Sequence, residues 1–160
     1  KRGKDPSFRI LPAIDLLRRV GQLSPGAAVL DVGARNTIEP LLLMEAGWAV
    51  TAIDLWPFAA RIRWADFHQL PFADGSYDCV FASHALEHAH SPEIALLEVC
   101  RVLKPGGLLW AAFPTHFTPN AHDLVDYGSA TAFVARLPRA ASALWEENQP
   151  MESRVLVRMA

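Results

Sequence analysis

Short apolar runs that end on small or acidic residues constrain this chain more than any other feature. Ala28–Val32 runs into Gly33, the run closing on Ile53 into Asp54, and Arg61–Ala65 into Asp66. Tyr77–Ala82 runs into Ser83, and Leu108–Phe113 into Pro114. Apolar runs of this length suit strands buried on both faces. Helical patterns separate them. Phe8–Val20 carries Leu11, Ile14 and Leu17 at helical spacing, which places Pro12 in a first turn and makes Gly21 the stop. Thr37 is positioned to cap a helix over Ile38–Ala46, with Pro40 early and Gly47 at its end. Ser91 and Pro92 open a third helix that turns Leu96, Cys100 and Leu103 inward before Lys104-Pro105. Strands alternating with helices predict an α/β fold with a doubly wound, mostly parallel sheet and right-handed crossovers.

Two places break the rhythm. Only six residues, Leu55 to Ala60, separate Asp54 from Arg61. A complete crossover with its helix needs at least about ten residues. The second crossover helix is therefore shortened or absent, and Trp56, Phe58 and Trp64 must cover that edge themselves or meet a second subunit. After Phe113 the pattern loosens: Tyr127–Leu137 reads as helix, and Ser142–Glu147 and Arg154–Met159 as two strands.

Bulk properties narrow the class. A chain of 160 residues, 51% hydrophobic with a mean hydropathy of +0.14, is expected to form one domain, 1–160, with a substantial core. A formal charge of −2 provides no basic field for a phosphate backbone, so nucleic acid is not an expected partner. No apolar run approaches the roughly 20 residues that span a bilayer. The charged start, Lys1 to Pro6, is not followed by a signal-type apolar segment. Cys79 and Cys100 offer neither a disulfide framework nor a metal quartet and read as buried thiols. The expected location is cytoplasmic.

The run Ala-Val-Leu-Asp-Val-Gly-Ala at 28–34, the Leu70-Pro71-Phe72 segment leading to Tyr77-Asp78, and Arg101-Val-Leu-Lys-Pro-Gly-Gly107 together resemble the class I S-adenosylmethionine-dependent methyltransferases of the small-molecule type. The resemblance covers about Leu23 to Phe113, and its most specific element is Lys-Pro-Gly-Gly. It implies a Rossmann-like sheet closing on an antiparallel final strand, S-adenosylmethionine as cofactor and methyl transfer to a small molecule. It also assigns positions. Asp31 matches the acid near the amino-acid end of the cofactor, and Asp66, beside Phe67, the residue that holds the adenine amino group. Two further glycines of the family's loop are replaced here by Arg35 and Thr37.

The residues support this chemistry on their own terms. Gly33 lets backbone approach a ligand, and Arg35 is placed to reach a carboxylate. Asp54, about 20 residues beyond the glycine turn, suits a ribose diol. Leu55 and Trp56 can wall an adenine, and Ser83 stands where donor and acceptor meet. Methyl transfer needs alignment, exclusion of water and, for a protonated nucleophile, a base. His84 and His88 are the candidate catalytic residues, with His116 and His122 in reach of the same pocket. His84-Ala-Leu-Glu-His88 also fits an inverted zinc-protease pattern, but it begins at a strand end rather than on a helix, and no metal is expected. Two alternatives stand beside the enzyme: a non-catalytic cofactor- or partner-binding relative, motivated by Arg35 and Thr37, and a nicotinamide oxidoreductase, for which two of three fingerprint glycines are missing.

Overall fold

The computed structural model describes residues 7–160; Lys1–Pro6 lie outside the described residues. The chain runs α1 (Ser7–Arg19), β1 (Ala28–Val32), α2 (Ile38–Glu45), β2 (Ala49–Asp54), β3 (Ile62–Trp64), β4 (Tyr77–Ser83), a 3-10 turn (Leu86–His88), α3 (Pro92–Val102), β5 (Leu103–Pro114), α4 (Ala130–Ala135), β6 (Ala141–Gln149) and β7 (Glu152–Met159). The seven strands form one sheet in the order β3-β2-β1-β4-β5-β7-β6. Strands β1 to β5 are parallel, and β7 runs antiparallel to both β5 and β6. This is the mostly parallel sheet that the strand pattern predicted, with the antiparallel end that the family resemblance implied.

Both faces are buried, because each strand alternates its side chains between them. On one face Val29, Cys79, Phe81, Leu108 and Trp110 pack under Ile10, Ile14 and Leu17 of α1 and Leu43 of α2. On the other, Leu30, Val80, Leu109 and Val155 pack under Leu96, Val99 and Phe133. Cys79 and Cys100 are free and buried, and burial pushes the Cys100 thiol up to about 11. Phe81, Trp110 and Trp145 stack in sequence across β4, β5 and β6, tying the antiparallel end to the parallel core.

Several local expectations change. Pro12 is the sixth residue of α1 rather than part of a first turn, and Leu11 faces solvent while Ile10 and Ala13 are buried. The helix is rotated so that Ile10, Ala13, Ile14 and Leu17 form its inner stripe, and Pro12 falls on the exposed side. Thr37 occupies the N-cap of α2 without using its side chain; Asn36 Oδ1 accepts from the Ile38 N–H instead (2.9 Å). The helix expected over Tyr127–Leu137 shortens to Ala130–Ala135, because Ser129 Oγ caps it by accepting from the Ala132 N–H. Strand β5 begins at Leu103 rather than Leu108, taking in Lys-Pro-Gly-Gly with a register shift against β4. Lys104 Nζ pairs with Asp78 Oδ1 (2.6 Å), whose other oxygen accepts from the Ala28 N–H (2.8 Å). A Cβ on Gly107 would stand 2.9 Å from the Lys104 carbonyl, so the last glycine is required by close approach.

No helix lies between β2 and β3; the connection is a turn through Leu55–Arg61. In a sheet of this order the missing helix would lie beside α2. The surface it leaves is apolar: Ile38, Leu41 and Met44 on α2 and Trp56, Phe58 and Trp64 beyond it are exposed. A small cleft of about 140 Å³, lined by Pro40, Leu41, Met44, Val50, Ala52 and Arg61, marks the vacated place. Among the described residues no helix is long and apolar enough to cross a membrane.

Candidate cofactor and acceptor site

The strand order reverses direction between β1 and β4, where α2 and α3 leave toward opposite faces. Open α/β sheets bind ligands at such a point, outside the carboxyl ends of the strands. The topology brings Asp31, Gly33 and Arg35 after β1, Asp54, Leu55 and Trp56 after β2, Asp66 and Phe67 after β3, and Ser83, His84 and His88 after β4 to this one end. A groove of about 450 Å³, lined by Gly21, Pro25, Asp78, Lys104, Gly106 and Arg158, lies at the opposite end. It holds none of these residues and is a seam between loops.

Gly33 adopts φ +76°, and a Cβ there would stand 2.6 Å from the Ala85 Cβ. The loop is drawn tightly onto β2: the Gly33 and Ala34 N–H groups both donate to the Ile53 carbonyl (2.9 and 3.0 Å), and the Arg35 N–H donates to the Gly33 carbonyl (2.7 Å). The Arg35 side chain is exposed and makes no ion pair among the described residues. Asp31 is fully buried, and neither of its oxygens has a hydrogen-bond partner. Burial, with the negative charges of Glu39 and Asp54 nearby, pushes its carboxyl well above the usual range. Burial also pushes Glu39, in the first turn of α2, up to about 7. Sequence reading missed Glu39; nothing in its local pattern distinguishes it from an ordinary first-turn acid.

Asp54 Oδ1 accepts from the Trp56 N–H (2.6 Å), which shapes the turn after β2 and exposes Leu55 and the Trp56 ring. Asp66 follows β3. Its Oδ1 accepts from both the His68 N–H (2.8 Å) and His68 Nδ1 (2.7 Å), and Phe67 packs against the core. Ser83 ends β4 half-buried. Orphaned carboxylate oxygens, a turn in which a Cβ has no room and a second acid one strand away fit a cationic ligand that carries a sugar diol. These residues therefore suit S-adenosylmethionine.

His84 follows at φ +53°, a left-handed conformation rare for a side chain of its size. Its N–H donates to the Ala112 carbonyl (2.8 Å), its Nε2 donates to Glu152 Oε2 (3.2 Å), and its Nδ1 lies 3.4 Å from Glu87 Oε1. Burial opposes charge on this ring, but the two carboxylates outweigh it and hold His84 at about 9. The hydrogen bond from His84 in turn pulls Glu152 down to about 2. His84 is thus an imidazolium at neutral pH with both nitrogens engaged, an arrangement opposed to the base role expected for it. His88 differs. Its ring is exposed, its Nδ1 donates to the His122 carbonyl (2.7 Å) and lies 3.3 Å from Asp123, and Nε2 is left without a partner among the described residues. Glu87 is buried beside it with Oε2 unpartnered. His116, at φ +59°, and His122 lie on the exposed loop after β5.

A family model for the methyltransferase domain matches residues 30–111, just over half of the chain and the segment that carries every strand of this site. The chain belongs to the methyltransferase domain family. By family and fold it is a class I S-adenosylmethionine-dependent methyltransferase domain. It is 37% identical over 106 residues to a demethylmenaquinone methyltransferase of Corynebacterium glutamicum, a match covering 61% of this chain and 46% of that protein. It is 31% identical over 155 residues to a ubiquinone biosynthesis O-methyltransferase of Xanthomonas campestris, covering 85% and 62%. The chain thus spans about half the length of the first of these relatives and less than two thirds of the second. Among solved structures, a 1,6-didemethyltoxoflavin-N1-methyltransferase of Burkholderia thailandensis, bound to its substrate and S-adenosylhomocysteine, superimposes with a TM-score of 0.72 at 19% identity, covering 94% of this chain and 77% of that one. The cyclase SpnF superimposes with a TM-score of 0.75 at 17% identity, covering 92% and 80%. At these identities the structures show the fold.

Proposed function

We propose that this methyltransferase domain acts as a single unit that transfers a methyl group from S-adenosylmethionine to a small aromatic acceptor bearing a nucleophilic hydroxyl or ring carbon. The observation that carries the cofactor reading is the unpartnered, buried carboxyl of Asp31 at the β1 tip, one strand from Asp54 and beside Gly33. When bound, the cofactor supplies an electrophilic methyl on a sulfonium. Asp54 would accept the ribose hydroxyls, Leu55 and Trp56 would wall the adenine, and Asp66 with Phe67 would meet its amino edge. Arg35 would pair with the carboxylate. Ser83 would stand at the point of transfer. The quinone-directed relatives, and the loop after β5 with His116, Phe117 and His122, support an aromatic acceptor.

The chain's own work is to orient the reactants, exclude water and remove one proton. His88 takes that proton at Nε2, with Nδ1–H fixed by the His122 carbonyl so that the ring keeps one tautomer. His84 braces β4 to β7 through Glu152 and positions the loop. The reading is tested by incubating the protein with methyl-labelled donor and a panel of hydroxylated aromatics. Label transfer that falls at least tenfold in His88→Asn supports it, and the absence of transfer to every acceptor counts against it. A second reading, that the domain works with a partner, rests on the exposed edge of Trp56, Phe58 and Trp64, where a second protein surface takes the place of the missing helix.

A further inference from the structure

The edge left bare between β2 and β3 mixes two chemistries. Phe58 and Trp64 are largely exposed, and between them lie Arg61 and Arg63, exposed as well. Neither guanidinium makes an ion pair or a hydrogen bond among the described residues. Leu55 to Ala65 contain no acidic residue. The acids on either side are half-buried and engaged: Asp54 Oδ1 accepts from the Trp56 N–H, and Asp66 Oδ1 from the His68 N–H. The whole chain carries −2, so the positive charge of this edge is local.

Strand register sets the directions. Ile62 pairs with Ala52, Arg63 with Ile53 and Trp64 with Asp54. Ala52 faces the cleft beside α2, so Ile62 and Trp64 point to that face. Arg63 points to the other, where Ile53 joins the core under α3. A helix laid in the vacated place would meet Trp64 and Arg61 and leave Arg63 beyond its reach. A second copy joined edge to edge about a two-fold axis would set arginine against arginine. A flat surface met end-on by the edge strand reaches both faces at once. Indole and phenyl rings beside unpaired arginines suit a phospholipid surface, where rings settle at headgroup level and guanidinium groups meet phosphates.

We propose that this edge docks the domain on an anionic phospholipid bilayer. Phe58 and Trp64 enter the headgroup layer, and Arg61 and Arg63 pair with lipid phosphates. The contact is peripheral and reversible, since the inserted rings are few and two charges add a modest attraction to a negative surface. Without lipid the same rings bring copies together, in a contact that the facing arginines weaken. The docking stands apart from the cofactor reading, because it needs neither donor nor acceptor.

Co-sedimentation with sucrose-loaded vesicles tests it, using phosphatidylcholine alone and phosphatidylcholine with about one-third phosphatidylglycerol. The wild type pellets with the anionic vesicles at least about fivefold more strongly than with the neutral ones, and rising salt releases it. Phe58→Ser with Trp64→Ser, and separately Arg61→Glu with Arg63→Glu, each lower the partitioning at least about fivefold, with thermal unfolding as the control for folding. Trp56 stays in place in both, because it stands at the cofactor wall. Should the ring variant lose stability, the charge reversal decides, since both arginines are exposed. A wild type that stays in the supernatant with anionic vesicles overturns the proposal, as does binding that the folded double variants retain. Association of copies through Trp64 without vesicle binding gives the edge to a second copy and overturns it too. The assay contains no donor, so each of these outcomes leaves the cofactor reading where it stands.

Discussion

His84 carries its charge because of its neighbours. Glu152 and Glu87 hold its imidazole at about 9, and Glu152 itself is drawn down to about 2. The folded-state value of His84 lies above the ordinary one of about 6.5. The pair's contribution is therefore whole below that ordinary value and is lost as pH rises through about 9. For Glu152 the contribution is present above the ordinary carboxylate range and is lost as pH falls through about 2. A titration of the His84 ring by NMR is expected to place its midpoint near 9 in the wild type and lower in Glu152→Gln, where Glu87 alone remains beside the ring. The variant should also lose about 1–2 kcal/mol at neutral pH, between the figures for exposed and buried pairs. An unshifted midpoint would remove the brace. Gly33 gives a second residue-scale test. Gly33→Ala must hold φ +76° against the Ala85 methyl, and a loss of about 1–3 kcal/mol in denaturant unfolding is expected. His84 and Gly33 were both visible in the sequence as residues of a strand tip. The role of His84 was not, because its carboxylate partner on β7 is 68 residues away.

At the scale of elements, Arg101 near the end of α3 does work that its sequence neighbourhood does not announce. Its Nε donates to Glu98 Oε1 (2.6 Å), and its two terminal nitrogens reach the Phe72 and Leu70 carbonyls (2.8 and 3.0 Å) and Asp74 (2.7 Å). One guanidinium thereby fixes the 70–74 loop to α3. Arg101→Ala is expected to cost about 2–3 kcal/mol, since it takes the side-chain donor from the Leu70 and Phe72 carbonyls and the cation from the partly buried Glu98. Thermal unfolding checks it, and a change under half a kcal/mol would show the clamp to be ornamental. Strands were the most legible elements, because an apolar run with an acidic or small end states both the pleat and the tip. Helix phase was less so. Sequence spacing alone placed Leu11 on the inner stripe of α1, whereas packing against Val29 and Phe81 selects Ile10 and Ala13. The bounds of α4 depend on Ser129, whose capping bond is a matter of backbone geometry.

For the whole molecule, the six-residue gap between β2 and β3 predicted a bare sheet edge, and the structure has one, with Trp56 at 74%, Phe58 at 75% and Trp64 at 69% exposure. Large exposed aromatic side chains gathered at one edge are a mark of interaction sites. Sedimentation is expected to show concentration-dependent association that is weakened by Trp56→Ser with Trp64→Ser; a monomer at every concentration would leave the aromatic rings as the edge's own cover. The site's position followed from strand order and acids at strand tips. Its inner chemistry, the unpartnered Asp31 carboxyl and the glycine-loop donors given to the Ile53 carbonyl, depends on groups that meet only when β1 and β2 are assembled. The central claim is that these strand tips hold S-adenosylmethionine, and the most direct measurement is calorimetric titration with S-adenosylhomocysteine of the wild type and of Asp54→Ala, with thermal unfolding as the control for folding. Micromolar binding in the wild type that weakens at least tenfold in an equally stable variant is the predicted result. A wild type that does not bind, or a variant that binds as well, would contradict it.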